Sequence, residues 1–294
     1  MTALLENLLL GLLLGGVYAL LASGMTLVFG IMRVINLAQG ALIMVSAFLT
    51  WTLWNSLHLD PLLASVIVGP IMFAIGYVLY FALVRRVAEA PLATSILLTL
   101  GLALVLESAM GMIWSNTTHS VLPDYATQSF EFGRLSLPRV YVYASVLAVV
   151  VLVALYVYLS RSWQGRAIRA CALNGSGARL VGVSVMRVSA LAFGIGAASA
   201  GIGGSIVSVL YPFLPASHYQ WIARLLAVVV LGGLGSIPGA LVASLLVGAA
   251  ETLTSAYLSP AWATAMPFLV IFIVLLLRPQ GLFGKTLRSD VVMV

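Results

Sequence analysis

Runs of about 20 apolar residues recur along the whole chain, and they limit its possible folds more than any other feature. A helix needs a run of that length to cross roughly 30 Å of hydrocarbon. The chain is only 7% charged, whereas a soluble domain carries about 25% charged residues. We therefore predict an all-α polytopic transmembrane bundle of about nine spans, within a range of roughly eight to ten. The candidate spans are residues 5–30, 37–56, 62–84, 92–114, 140–160, 188–210, 219–234, 238–256 and 262–277.

Composition excludes several other classes of protein. Alternating ten-residue segments are absent from the sequence, so a transmembrane barrel is not expected. The single cysteine, Cys171, allows neither an intramolecular disulfide nor a cysteine metal cluster. A net charge of +6 is typical of the cytoplasmic loops of a membrane protein, so it does not indicate nucleic acid. The first apolar run has no basic residues before it and is too long for a signal peptide, so it is predicted to be a retained span.

The predicted seventh and eighth spans form one apolar stretch, which a Gly/Pro-rich turn at 232–239 interrupts. One bent helix and two short helices both fit this pattern. Two helices are favoured, because Pro238 removes a backbone donor and the glycines loosen the chain. Two helices also keep the basic C-terminus on the same side as the other basic loops.

The basic residues predict an orientation, because cytoplasmic loops collect Lys and Arg. With the N-terminus outside and the C-terminus in the cytoplasm, eleven of the 14 basic residues lie inside. The loop 161–187 is then cytoplasmic, while the outer loop 115–139 is either a plain connection or a docking surface or lid. The inner residues are Arg33, Arg85, Arg86, Arg161, Arg166, Arg169, Arg179, Arg187, Arg278, Lys285 and Arg288. The outer side receives Arg134, Arg139 and Arg224, and the three histidines, His58, His119 and His218, fall in outer loops.

The segment 165–183 of the inner loop is basic and rich in glycine and alanine. We predict a short helix along the inner membrane face that docks on a soluble partner, and the alternative is an arginine anchor on anionic lipid. Residues 174–177 (Asn-Gly-Ser-Gly) are poor in a helix interior, so the helix should end or turn there. The arginines would donate to partner carboxylates, Ala172 would permit close approach, and Gly182 would allow a tight bend. The predicted docking residues are Arg166, Arg169, Ala172, Arg179 and Gly182.

Three polar residues, Asn36, Gln39 and Glu107, are predicted to line a polar path through the bundle. In hydrocarbon such groups lack partners, and a charged one costs at least ~2.5 kcal/mol at mid-membrane. Asn36 and Gln39 are placed at the inner start of the second span, where helix N-capping is the alternative role for Asn36. Glu107 is placed near the middle of the fourth span, where it lines a cavity or pairs with a neighbour. Glu251 is expected to be a structural partner.

Small residues recur every four positions in the sixth span, at Ala197, Gly201 and Ser205. In lipid this spacing lets helix backbones approach closely, so tight packing is predicted. Sliding of these helices during a transport cycle is the alternative.

No catalytic or cofactor motif is found in the sequence. The chain has no H-E-x-x-H, no G-x-S-x-G and no P-loop. Residues 174–177 are superficially like the motif of intramembrane serine proteases, but no histidine lies within a predicted span to act as the base. We therefore expect no enzyme activity, no metal site and no cofactor in this chain.

Several segments together carry a resemblance to one family. They are GVYALLASGMTLVFG at 16–30, RVINLAQG at 33–40, LGGLGSIPGA at 231–240, Glu251, and RPQGLFG at 278–284. With the basic inner loop, this set resembles the branched-chain amino-acid (Liv-type) ABC transporter permeases over nearly the full chain. Within that family the chain is similar to the shorter of the two paired permease subunits.

The resemblance implies one transmembrane permease domain over residues 1–294, in an inner membrane of bacterial type. It implies four kinds of partner: the lipid bilayer, a second related permease subunit, two cytoplasmic ATPase subunits and a periplasmic substrate-binding protein. The ATPase subunits would bind ATP and Mg, and 161–187 would be the coupling loop. The implied function is ATP-driven import of branched-chain or similar hydrophobic amino acids by alternating access.

One departure from the family concerns the substrate. The family usually has a histidine at the position of Gln39, so this chain lacks a titratable group there. The substrate therefore stays open between amino acids and the urea or short amides that relatives handle. Two other classes are rivals. A stand-alone secondary transporter would need an inverted repeat and a buried coupling acid, and an intramembrane enzyme would need a nucleophile and a base at one depth.

Overall fold

A computed structural model describes residues 2–88, 90–132, 135–278 and 280–283. Within these residues the chain forms eleven α-helices, which confirms the predicted helical bundle. The helices are α1 (Thr2–Met32), α2 (Gln39–Leu57), α3 (Pro61–Ala82), α4 (Leu92–Trp114), α5 (Arg139–Arg161), α6 (Trp163–Leu173), α7 (Gly175–Leu180), α8 (Val185–Leu210), α9 (His218–Gly232), α10 (Ile237–Tyr257) and α11 (Pro260–Leu277). Short 3-10 helices lie at Val84–Arg86, Asp124–Thr127 and Pro215–Ser217. An antiparallel hairpin of β1 (Ser129–Phe132) and β2 (Leu135–Pro138) precedes α5.

Eight of the described helices are long and apolar enough to cross a membrane, namely α1, α2, α3, α4, α5, α8, α10 and α11. The remaining predicted span, residues 219–234, corresponds to α9, which has 15 residues. At 1.5 Å per residue α9 extends only about 22 Å, which is less than the thickness of the hydrocarbon layer. The expected nine spans are therefore eight long helices and one short helix in the described part of the chain.

The Gly/Pro-rich turn separates α9 from α10, so two helices form instead of one bent helix. Gly233 and Gly235 have φ values of 96° and 81°, which glycine adopts without a Cβ clash. The Ser236 hydroxyl accepts a hydrogen bond from Gly239 N at 3.2 Å and caps α10. Pro238 lies in the first turn of α10, where its missing N–H would have had no helical acceptor.

Helix α8 is the centre of the bundle, with 78% of its membrane-crossing stretch buried, whereas 11% is buried in the peripheral α11. The predicted small residues allow α1, α2 and α3 to pack closely around it. A Cβ on Gly201 would lie 2.9 Å from Met72 Cβ, and one on Gly204 would collide with the Ser46 hydroxyl of α2. The tight packing predicted for the sixth span is therefore confirmed.

The bundle has two ends, which we call the basic side and the hairpin side. The basic side carries residues 161–187 (the basic segment), and the hairpin side carries residues 115–139. The two are joined by α5, whose 23 residues extend about 35 Å. The first turns of α1 lie on the hairpin side, where Leu9 and Leu12 line an apolar groove with Phe130. Arg134, Lys285, Arg288 and the C-terminus, which the orientation prediction uses, lie outside the described residues.

Candidate translocation site

Residues 33–38 form a non-helical connection between α1 and α2, which we call the break segment. Arg33 starts it with a left-handed φ of 54°. Thr99 of α4 holds its middle, because the Thr99 hydroxyl accepts from Leu37 N at 3.2 Å and donates to Ile35 O at 3.1 Å. These bonds satisfy backbone groups that no helix satisfies, as is required of irregular backbone inside a membrane bundle.

Asn36 and Gln39 lie together, fully buried, at the end of the break segment. The Asn36 amide nitrogen donates to Gln39 Oε1 at 3.3 Å, and Gln39 Nε2 donates to Gly196 O of α8 at 3.0 Å. The capping position of α2 is Ala38, and no side chain caps this helix, so the N-capping role considered for Asn36 is wrong. Asn36 Oδ1 is buried and has no hydrogen-bond partner among the described residues.

Gln39 lies deeper in the bundle than its predicted place at the inner start of the second span. Its acceptor, Gly196, lies eleven residues into α8, about 16 Å from the basic-side end of that helix. A Cβ on the next residue, Gly40, would lie 2.5 Å from the carbonyl oxygen of His218, the first residue of α9. The N-terminal ends of α2 and α9 therefore meet inside the bundle.

Glu107 pairs with the first turn of α9. Its Oε2 lies 3.0 Å from His218 Nε2 and accepts a hydrogen bond from the Tyr219 hydroxyl at 3.1 Å. The His218 side chain is 2% exposed and that of Glu107 is 24% exposed. His218 was predicted in an outer loop, and this is wrong, because it is the buried first residue of α9, directly after the 3-10 helix Pro215–Ser217.

One stripe of α4 links Glu107 to the break segment. Ser95, Thr99 and Glu107 are spaced by multiples of four residues, so they project from one side of the helix. Thr99 contacts the break segment, and Glu107 contacts α9 eight residues further along, about 12 Å away. The three predicted path residues therefore lie along one seam of α2, α4, α8 and α9, but Glu107 is not in contact with the Asn36–Gln39 pair.

Glu251, the second carboxylate inside the bundle, belongs to a buried network that the sequence did not predict. Its Oε2 accepts from the Tyr18 hydroxyl at 2.7 Å, and its Oε1 accepts from Arg224 Nη2 at 3.0 Å. The guanidinium of Arg224 also lies 5.3 Å from the Trp221 ring centre, at cation–π distance. The expected structural partnership of Glu251 is therefore present, and it joins α1, α9 and α10.

Arg224 was counted on the outer side within the seventh predicted span, but its pairing inside the bundle was not predicted. The side chain is 11% exposed and pairs with Glu251 inside the bundle. The sequence did carry a signal for this pair, namely an arginine within one apolar run and an acid within the next. Tyr18, His218 and Tyr219 gave no comparable signal, because nothing local distinguishes them from packing or loop residues.

The basic segment forms two helices with a break between them. Helix α6 ends at Leu173, and the Asn174 side chain accepts from Gly177 N at 2.9 Å to begin α7. Gly175 and Gly177 therefore lie within a second short helix, although the predicted end of the first helix is confirmed. Gly182 has a φ of 83° and makes the predicted bend toward α8.

Helix α6 turns one face toward the bundle and the other outward. Ala167, Ile168 and Cys171 are buried, and this burial raises the pKa of the Cys171 thiol, while nearby Arg179 lowers it. Arg166, Arg169, Ala172 and Arg179 are exposed. Exposed apolar side chains accompany them, at Leu173 (80% exposed) and Leu180 (89% exposed).

Two of the predicted docking arginines also bond within the chain. Arg166 donates to Arg161 O at 3.1 Å and Arg169 donates to Ser160 O at 3.3 Å, which are carbonyls at the end of α5. These bonds attach α6 to α5 and use donors that the sequence assigned wholly to a partner. Beside the segment lies a groove of about 480 Å³, lined by Arg33 and Gly30 on one side and by Asn174 and Ser176 on the other.

The described residues contain no group of three or more His, Cys, Asp or Glu side chains that could hold a metal ion. The polar groups along the seam are the amides of Asn36 and Gln39 and the Glu107 carboxylate with its two partners from α9.

Comparison with known proteins places this arrangement in a transporter family. The family model described as branched-chain amino acid transport system, permease component, matches residues 7–275. The high-affinity branched-chain amino acid transport system permease protein LivH of Escherichia coli (strain K12) is 30% identical over 298 residues, 96% of each chain. The corresponding protein BraD of Pseudomonas aeruginosa is 33% identical over 303 residues, again 96% of each chain. No solved structure matches the chain. The chain belongs to the branched-chain amino acid permease component family and is a multi-pass membrane protein.

Proposed function

We propose that this chain is a transmembrane permease subunit of an ATP-driven importer of branched-chain or similar hydrophobic amino acids. The observation that carries the proposal is the polar seam inside the bundle, where the break segment and the starts of α2 and α9 meet. Broken helices with polar residues at such a depth are typical of transport sites. Family membership supports the substrate class, because the relatives are named for branched-chain amino acid transport.

The proposed partners follow from membership in a family of permease components. They are a second related permease subunit, two cytoplasmic ATPase subunits that hold ATP and Mg, and a periplasmic substrate-binding protein. The membrane would be a bacterial-type inner membrane. Membership in a family of permease components argues against the rival function of a stand-alone secondary transporter. Urea or short amides remain the alternative substrates.

The mechanism we propose is alternating access driven through the basic segment. Closure of the ATPase pair would move α6 and α7, and two connections lead from them into the bundle. Arg166 and Arg169 attach α6 to the end of α5, and the Gly182 bend leads directly into α8. Since Gly196 of α8 accepts the Gln39 hydrogen bond, a displacement of α8 would reach the break segment.

The test of coupling uses the exposed Ala172 at the end of α6. In Ala172→Glu, a bulky charge occupies a position proposed to touch the ATPase, so ATPase co-purification and substrate-stimulated ATP hydrolysis should both fall. A lipid anchor would tolerate this change, because every basic residue remains. The double variant Arg169→Ala, Arg179→Ala tests the arginines. Wild-type values in both variants would rule out this segment as the coupling element.

The orientation is tested with single cysteines in a Cys171→Ser background. The distribution of basic residues supports an N-terminus outside and a C-terminus in the cytoplasm. A cysteine at Ser120 on the hairpin side and one at Ser289, which lies outside the described residues, should react with an impermeant thiol reagent from opposite sides. Reaction of both from the same side would contradict the topology.

A further inference from the structure

The two oxygens of the Glu107 carboxylate are held differently. Both of its hydrogen-bonding contacts, to His218 and Tyr219, use Oε2. No partner for Oε1 occurs among the residues that the structure describes, and the side chain is 24% exposed. One oxygen is therefore fixed while the other is open to a ligand.

The position of Glu107 requires that this open oxygen face something other than lipid. Glu107 lies seven residues before the end of α4, about 10 Å inside the hairpin-side end of that helix. A carboxylate facing hydrocarbon at such a depth would be strongly unfavourable. Tyr219 beside it is 47% exposed, so the open face is shared by α4 and α9. This face must therefore meet water or another protein in the assembled transporter.

The charges around Glu107 leave its negative charge available. In the described chain, its charged or potentially charged contact is His218, whereas Glu251 has the guanidinium of Arg224. The contacting residues, His218 and Tyr219, are the first two of α9, where the helix dipole favours a negative group. The carboxylate is thus oriented by His218, Tyr219 and a helix end, and no Lys or Arg of the described residues contacts it.

We propose that Glu107 Oε1 binds the ammonium group of the amino acid in transit. An ammonium group offers three donors and a positive charge to the open oxygen. Urea and short amides carry no cation, so they would offer no such charge to Oε1. This inference rests on the proposed import function and adds a specificity-determining residue to it, which favours amino acids over the neutral alternatives.

A pair of substitutions separates ammonium binding from a structural role. Glu107→Gln keeps the side-chain length and an acceptor for His218 and Tyr219, but removes the charge. Glu107→Asp keeps the charge and shortens the side chain, which weakens those contacts. Ammonium binding requires the charge, so the Asp variant should import faster than the Gln variant. A structural role requires the contacts, so it gives the opposite order.

The measurement is the initial rate of L-leucine uptake by the complete transporter in proteoliposomes, with leucine-loaded binding protein at saturation. We expect Glu107→Gln to lose at least about tenfold in rate, equivalent to about 1.4 kcal/mol. Ser108→Ala, which alters the adjacent exposed position on α4, is the matched control and should import at the wild-type rate. ATP hydrolysis stimulated by the binding protein confirms that each complex is assembled and coupled.

Two different results would count against this inference. If wild type imports leucine and the Gln variant equals or exceeds the Asp variant, the ammonium role of Glu107 is wrong and the import function stands. If assembled wild-type transporter imports urea or acetamide but not leucine, the proposed substrate class fails, and the inference fails with it. The second result is visible in wild type before any substitution is made.

Discussion

The two carboxylates within the bundle, Glu251 and Glu107, lie in contrasting environments. Glu251 is 7% exposed and receives one hydrogen bond on each oxygen, from Tyr18 and from the charged Arg224. Glu107 has both contacts on one oxygen and faces outward from the seam of α4 and α9. The charge of Glu251 is neutralised by Arg224 within the fold, whereas Glu107 is oriented by its contacts on one oxygen and its other oxygen stays open.

The difference separates a structural acid from a candidate binding acid. A buried pair is strongly destabilised when one partner is removed, because an uncompensated charge stays behind. A partly exposed, oriented carboxylate contributes less to stability, and its geometry serves a ligand instead. Substitutions at the two sites should therefore differ in whether they affect stability or transport.

The largest expected effect on stability comes from breaking the pair of Arg224 and Glu251. Arg224→Ala leaves the Glu251 carboxylate buried without its counter-charge, so we expect a loss of roughly 3–5 kcal/mol in the free energy of unfolding. Thermal unfolding of the detergent-solubilised protein measures this. The double variant Arg224→Met, Glu251→Gln removes both charges and should recover most of the loss. A change below about 1 kcal/mol in the single variant would mean that water already solvates the pair.

An intermediate effect should distinguish the packed centre from the open face of α4. Gly204→Ala places a methyl group against Ser46 and Ile43 O, so overpacking should cost about 1–3 kcal/mol of stability. Gly101→Ala is the matched control, because a Cβ there meets nothing within 4 Å. Alanine at that helical position should be neutral or stabilising by up to about 1 kcal/mol. Equal losses in the same unfolding assay would show that α8 is not the tightly packed centre.

The smallest expected effect on stability comes from replacing Glu107. Glu107→Gln keeps an acceptor for His218 and Tyr219, so the free energy of unfolding should change by less than about 1 kcal/mol. Glu251→Gln, measured alongside, should be clearly less stable because it leaves Arg224 without a counter-charge. If the two glutamine variants lose the same stability, Glu107 is a structural residue and the contrast between the acids disappears.

Local features were predictable from the sequence where local chemistry decides them. The end of α6 at Leu173 and the Gly182 bend follow from poor helix formers and from the freedom of glycine. The turn between α9 and α10 follows from Pro238 and its neighbouring glycines in the same way. The shortness of α9 follows from the same turn, because the candidate span at 219–234 was already one of two short helices.

The sequence by itself determined that this chain is a helical membrane protein of the permease family. Charge is too scarce for a soluble surface, and the length of each apolar run sets where a helix crosses lipid. Only the tertiary structure decided what each polar residue does, since Glu107 and Glu251 look alike in their apolar runs. Their partners come from α9 and α1, up to 233 residues apart in the chain. Hydropathy depends on neighbours along the chain, whereas the fate of a buried charge depends on neighbours in space.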